Sequence, residues 1–122
     1  MHETALVFDA SVFQELLEAL AGDLDRVASI YQTFFETATF LIGSLLDQDC
    51  ATQAKTLHTL KGSAAMVGGE RMARLVTHLQ QIAANSVHPI IRTRIEELSG
   101  ELVMLRGAVN AYARSCSYAF EI

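Results

Sequence analysis

The sequence predicts an all-α fold: an antiparallel up-down-up-down four-helix bundle with an additional short N-terminal helix. Three observations predict it. Apolar residues recur at spacings of three and four almost everywhere, and no stretch alternates long enough to make a strand. The single proline and the seven glycines stand mostly near the ends of apolar-periodic runs, which favours long helices joined by short turns. Ile91, Ile95, Leu98, Leu102, Leu105, Val109 and Tyr112 follow one another by fours and threes, the seam of left-handed helix packing. With 122 residues, 51% of them apolar, the chain fits one domain, 1–122, around one core.

The short first helix is expected over 11–21. Ser11 with Gln14 reads as a capping box, and Gly22 ends the helix. Asp23 opens a second helix, 23–46. Its buried stripe takes Leu24, Val27, Tyr31, Phe34, Phe35, Ala38, Leu41 and Leu45. The Phe34/Phe35 pair and the methionines read as core packing. Asp47 and Asp49 break the pattern, and Asp49 is an N-cap for a third helix, 50–67. Gly68-Gly69 makes a tight turn, and Glu70 suits the first turn of a fourth helix, 70–84. That helix buries Met72, Leu75, Val76, Leu79, Ile82 and Ala83. A loop over 85–88 follows, and Pro89 fits the first position of a fifth helix, 89–114. Residues 115–122 are expected to fray.

Composition excludes several function classes. The net charge is −5, and no basic stripe exists to neutralise phosphates, so nucleic acid is not a partner. Cys50 and Cys116 are isolated thiols without a CxxC, which reads as two reduced structural cysteines in a cytoplasmic protein. The N-terminus lacks the basic and apolar regions of a signal peptide, and no apolar run approaches the ~20 residues of a membrane span. Membrane contact is not expected. One bundle consumes the apolar stripes, so a monomer is expected.

Chemistry concentrates on the third helix. At about 100° per residue, Ala51, Ala54, Lys55, Lys61, Gly62 and Ala65 fall within roughly 60° of His58. Thr56, Leu60, Ser63, Ala64 and Val67 gather on the far side, toward the core. A solvated helix face normally carries Glu, Gln and Lys, and this one is built of alanine and glycine. Lys55 and Lys61 are the two lysines of the whole chain. Gly62 in mid-helix costs about 1 kcal/mol relative to alanine. Something must approach the backbone there to offset it. Neutral imidazole is a good nucleophile, and an ammonium one turn away stabilises negative charge on a phosphoryl group it carries. The chain has no Gly-rich nucleotide loop, no Walker lysine and no acidic metal cluster, so it is not expected to be a kinase or any other nucleotide-using enzyme.

The stretch Leu57-His58-Thr59-Leu60-Lys61-Gly62-Ser63-Ala64-Ala65-Met66-Val67-Gly68 resembles the signature of histidine-containing phosphotransfer (HPt) domains of bacterial multistep phosphorelays. It also resembles the phosphoacceptor domain of chemotaxis histidine kinases. The five-helix layout is similar along nearly the whole chain. The resemblance implies that His58 is phosphorylated, through its Nε2, by a receiver-domain aspartate and passes the group to another receiver. Lys61 would stabilise charge, Gly62 would make room for the receiver, and Gly68 would turn the hairpin. Ala54, Lys55 and Ala65 would complete the docking face. The implied partners are response-regulator receiver domains and a hybrid sensor histidine kinase. No cofactor is implied on this chain; magnesium is expected on the partner receiver. The family often has a glutamate after leucine in the fourth helix. Here that pair is Leu79-Gln80, and no function transfers onto Gln80.

Two other classes compete. One is a non-phosphorylated helical adaptor that docks on a receiver or kinase and inhibits it. The other is a metal-binding bundle using His58 and His78, which the hairpin brings to similar heights; zinc needs a third protein ligand, and none is obvious. A free-standing protein and a module of a hybrid kinase both fit the length.

Overall fold

The computed structural model describes residues 5–85, 88–90, 92–119 and 121–122. Among them it is all-helical: α1 (Ala10–Ala19), α2 (Leu24–Ser44), a 3-10 turn (Leu45–Asp47), α3 (Cys50–Met66), α4 (Glu70–Ala84) and α5 (Arg92–Ser115). Helices α3 and α4 pack on each other, α4 on α5, α5 on α2 and α2 on α3, while α1 packs on α2. The core is a single cluster that draws on all five helices, from Phe13 and Tyr31 to Leu60, Leu79 and Leu105.

Three helices begin on aspartates that accept backbone hydrogen bonds, as expected for side chains that satisfy orphan amides. Asp23 accepts from the Arg26 amide at 3.2 Å. Asp49 accepts from the Thr52 amide at 2.8 Å. For α1 the expected capping box is displaced by two residues. Asp9, not Ser11, is the cap, and the Ser11 amide and hydroxyl both donate to it, at 3.0 and 2.7 Å. A carboxylate accepts both bonds at once, so it takes the position. Gln14 is thereby freed to bond the Tyr112 and Tyr118 hydroxyls, at 2.6 and 3.1 Å. The helix ends through Ala21 and Gly22, both with positive φ, and the Gly22 amide returns to the Leu17 carbonyl at 2.8 Å.

The fifth helix begins at Arg92, three residues after the expected Pro89 start. A buried glutamine accounts for the delay. Gln53 is fully enclosed; its Nε2 donates to the Leu45 carbonyl and its Oε1 accepts the Ile90 amide, each at 2.9 Å. That amide and the buried Ile90 side chain hold the chain against α3 before α5 starts. From Ile95 to Val109 the seam is buried as expected, and Tyr112 is half-buried. Ile91 and part of the 85–88 loop lie outside the described residues.

Two expectations are corrected. The C-terminal segment does not fray where it is described. Asn110 bonds the Ile122 backbone twice, at 2.8 Å, Arg114 pairs with Glu121 at 2.9 Å, and Tyr118 stacks on Phe13 at 5.7 Å. The methionines are not all core. Met72 is buried, but Met66 is 68% exposed and Met104 half-exposed. Phe40 and Val103 also stand outward.

The α3–α4 turn positions everything that follows. Gly68 has φ +84°, and a Cβ there would lie 2.7 Å from the Asp9 carbonyl oxygen. The Asp9 amide donates to the Gly68 carbonyl at 2.8 Å, and the Arg71 amide to the Leu6 carbonyl at 2.9 Å. From the other side the buried Tyr31 hydroxyl donates to the Val67 carbonyl at 2.9 Å. Burial pushes the Tyr31 phenol far above the ordinary tyrosine range, so it remains a donor. Gly68→Ala is therefore expected to destabilise the fold by about 1–2 kcal/mol through its backbone conformation alone, and by more once Asp9 must retreat. Urea unfolding of the variant checks this; an unchanged midpoint contradicts it.

Candidate functional site

Helix α3 has two unlike sides. Gln53, Thr56, Leu57, Leu60 and Ala64 are buried against the core. Ala51, Lys55, His58, Lys61, Gly62 and Ala65 are exposed, and Ala54 and Ser63 are half-buried. The projected face therefore stands as expected, with the imidazole outward in a row of small side chains. Among the described residues His58 has no hydrogen-bond partner, and neither lysine has a carboxylate within ion-pair distance. Thr59, also exposed, returns its hydroxyl to the Lys55 carbonyl at 3.3 Å.

A Cβ built on Gly62 meets nothing within 4 Å, as is also true of Gly43, Gly100 and Gly107, but Gly62 alone of these stands one turn from His58. The glycine is not required by any neighbour in this chain, and its φ is ordinary. Its roughly 1 kcal/mol helix penalty thus has no offset inside the fold. The contrast with Gly68 and Gly69 is direct: a Cβ on Gly69 would lie 2.7 Å from Leu105 Cδ2.

Two hollows flank the face, and neither was foreseen from the sequence. On the Met66 side, α2 and α3 enclose a groove of about 380 Å³ lined chiefly by Ile30, Phe34, Leu41, Leu60, Met66 and Val67. Met66 sits about 80° from His58 on the helical wheel, and that angle is the local signal of its exposure. Beyond Ala65, the face runs into a hollow of about 480 Å³ bordered by Asp9, Val12, Gly68, Ala73 and Thr77. That hollow depends on α1 crossing the hairpin turn, which no local pattern encodes.

His78 is exposed on α4 and lines a different hollow, between α4 and α5, with Arg71, Leu75, Glu97, Glu101 and Met104. No group of three or more His, Cys, Asp or Glu residues is placed to hold a metal ion among the described residues. Gln80 is half-buried, and among the described residues no hydrogen bond joins it to His58. Cys50 and Cys116 are free and half-buried. No described helix is long and apolar enough to cross a membrane.

An outward histidine, a lysine one turn on and a glycine that no neighbour requires stand together on one face of α3. The family model of the Hpt domain matches residues 11–108. The chain belongs to the Hpt domain family. The match begins within α1 and ends within α5, so it includes the whole of α3. Comparison with curated proteins and with solved structures gives no significant match. Hpt domains are phosphotransfer modules of two-component phosphorelays, interact with response-regulator receiver domains, and are not nucleotide-binding enzymes.

Gly62→Ala is expected to stabilise this Hpt domain by about 0.5–1 kcal/mol, because the added methyl meets open space and favours the helix. Thermal or urea unfolding measures it. A loss of stability would show that the fold itself needs the glycine.

Proposed function

We propose that this chain is a phosphorelay intermediate whose phosphoacceptor is His58. The observation that carries the reading is the exposed imidazole at the centre of an alanine and glycine face, one turn from Lys61, in a chain of the Hpt family. The donor is the aspartyl phosphate of a receiver domain, and the acceptor is the aspartate of another. A hybrid sensor histidine kinase and its response regulators are the source and destination. The arrangement is an up-down-up-down bundle with α1 as a lid, the chain 1–122 forms one domain, and it works as a cytoplasmic monomer.

The transfer is a displacement at phosphorus. The Nε2 lone pair of neutral His58 forms the N–P bond as the acyl phosphate P–O bond breaks and the aspartate carboxylate leaves. The proton on Nδ1 stays, so the first product is a phosphorylated imidazolium. The return step reverses the bonds on a second receiver. Lys61 stands where it offsets the charge of the phosphoryl oxygens. Magnesium belongs to the receiver's own site, and this chain contributes position: a nucleophile held on a rigid helix and aimed outward. Gly62, with Ala54 and Ala65, lets a globular partner come close enough for a near-attack geometry. Gln80 supplies no carboxylate to orient the imidazole, and no role falls to it.

His58→Gln is expected to abolish acid-labile phosphate uptake from a phosphorylated receiver while leaving the helical signal and unfolding midpoint unchanged. Uptake at the wild-type rate would overturn the assignment and favour an adaptor that docks without being phosphorylated. Gly62→Gln is expected to fold normally and to weaken receiver binding by tenfold or more, as about 1.4 kcal/mol or more of lost contact implies. Titration calorimetry with the receiver that loads His58 reads this, and an unchanged affinity removes the docking role of the glycine.

A further inference from the structure

Charge is divided unevenly between the His58 face and the rest of the molecule. The chain carries 14 acidic residues against 9 basic, yet α3 contains two lysines and no carboxylate. The arginines elsewhere are largely engaged. Arg71 grips Glu101 at 2.9 Å, Arg74 and Arg94 pair with glutamates on their own helices, and Arg114 pairs with Glu121. Arg106 lies 5.0 Å over the Phe35 ring. Among the described residues Arg26 and Arg92 are exposed without an ion pair but lie on α2 and α5, whereas the two lysines stand on α3 itself, one turn from the imidazole on either side.

The two lysines are not equivalent. They stand three residues before and three after His58, and helix side chains tilt toward the N-terminus. Lys61 therefore leans back over the imidazole, whereas Lys55 leans away from it, toward the start of the helix. Both lysines are exposed.

We infer that Lys55 is a steering residue for an acidic receiver surface, distinct from the charge-stabilising Lys61. The inference rests on the relay reading above. It assigns the lysines to different steps. Lys55 acts on encounter, through a field that salt screens within about 8–10 Å. Lys61 acts on transfer, at short range, where salt matters little.

The test is rapid-quench phosphotransfer from an aspartyl-phosphorylated receiver domain, taken from a panel by its ability to load wild-type His58. Half-saturating receiver concentration and saturating rate are read at ~20 mM and ~500 mM salt, where screening lengths are about 20 and 4 Å. Lys55→Gln is expected to raise the half-saturating concentration about threefold to tenfold at low salt and hardly at all at high salt, with the saturating rate unchanged. Lys61→Gln is expected to lower the saturating rate at both. A neutral Lys55→Gln at low salt, or a Lys55 effect on the saturating rate, would overturn the inference. Phosphate on the wild type in the same runs tests the relay reading separately: its absence with every receiver sinks that reading, and its presence leaves the steering outcome to stand or fall alone.

Discussion

The backbone contact between Asp9 and Gly68 is the constraint on which the rest of the molecule leans. The two residues lie far apart in sequence, and their backbones meet so closely that no Cβ fits between them. This contact fixes where α1 enters, and the same aspartate caps that helix. Tyr31 holds the preceding carbonyl from the core side. With the hairpin turn pinned from two directions, α3 has no freedom to roll about its axis. Its buried side is set, and so the outward direction of His58 is set as well.

Helix α3 is an unusual element by amphipathic standards. One side meets the core with Leu57, Leu60 and Ala64, but Gln53 and Thr56 are enclosed there too. They are satisfied: Gln53 joins the 3-10 turn to Ile90, and the Thr56 hydroxyl donates to Gln48 at 2.9 Å. Burying such groups is tolerable only with partners in place. The outer side is bare in place of richly charged. A helix chosen for stability alone would carry neither Gly62 nor a row of exposed alanines without ion pairs. Gly43, Gly100 and Gly107 stand in helices with open space around them as well, so the glycine alone does not set this face apart. What distinguishes Gly62 is its place one turn from an exposed imidazole, between alanines.

Sequence reasoning fared best where the cause was local. Asp23 and Asp49 cap helices because each stands beside free amides. Gly68 turns because only glycine takes its φ without strain beside another chain segment. The seam of α5 is periodic, and periodicity survives folding. Reasoning failed where a distant group competed. Ser11 lost its capping role to Asp9, and Gln14 left the cap for two tyrosines about a hundred residues away in the chain. The α5 start moved because Gln53 claims the Ile90 amide. The C-terminal residues are held because Asn110 supplies both halves of a backbone pair.

By itself the sequence determined the helical class, the caps at Asp23 and Asp49, and which residues share a face with His58, because helical geometry converts spacing directly into direction. The same spacing marked Lys61 and Gly62. Only the tertiary structure decided which side of α3 is covered, that nothing in the chain fills the space over Gly62, and that hollows open beside Met66 and beyond Ala65. Those features arise between elements, from the way α1 and α2 cross the hairpin, and the separations involved carry no local signal. The difference between Lys55 and Lys61 belongs to both: spacing puts them on either side of the imidazole, and the packed molecule leaves both ammonium groups exposed.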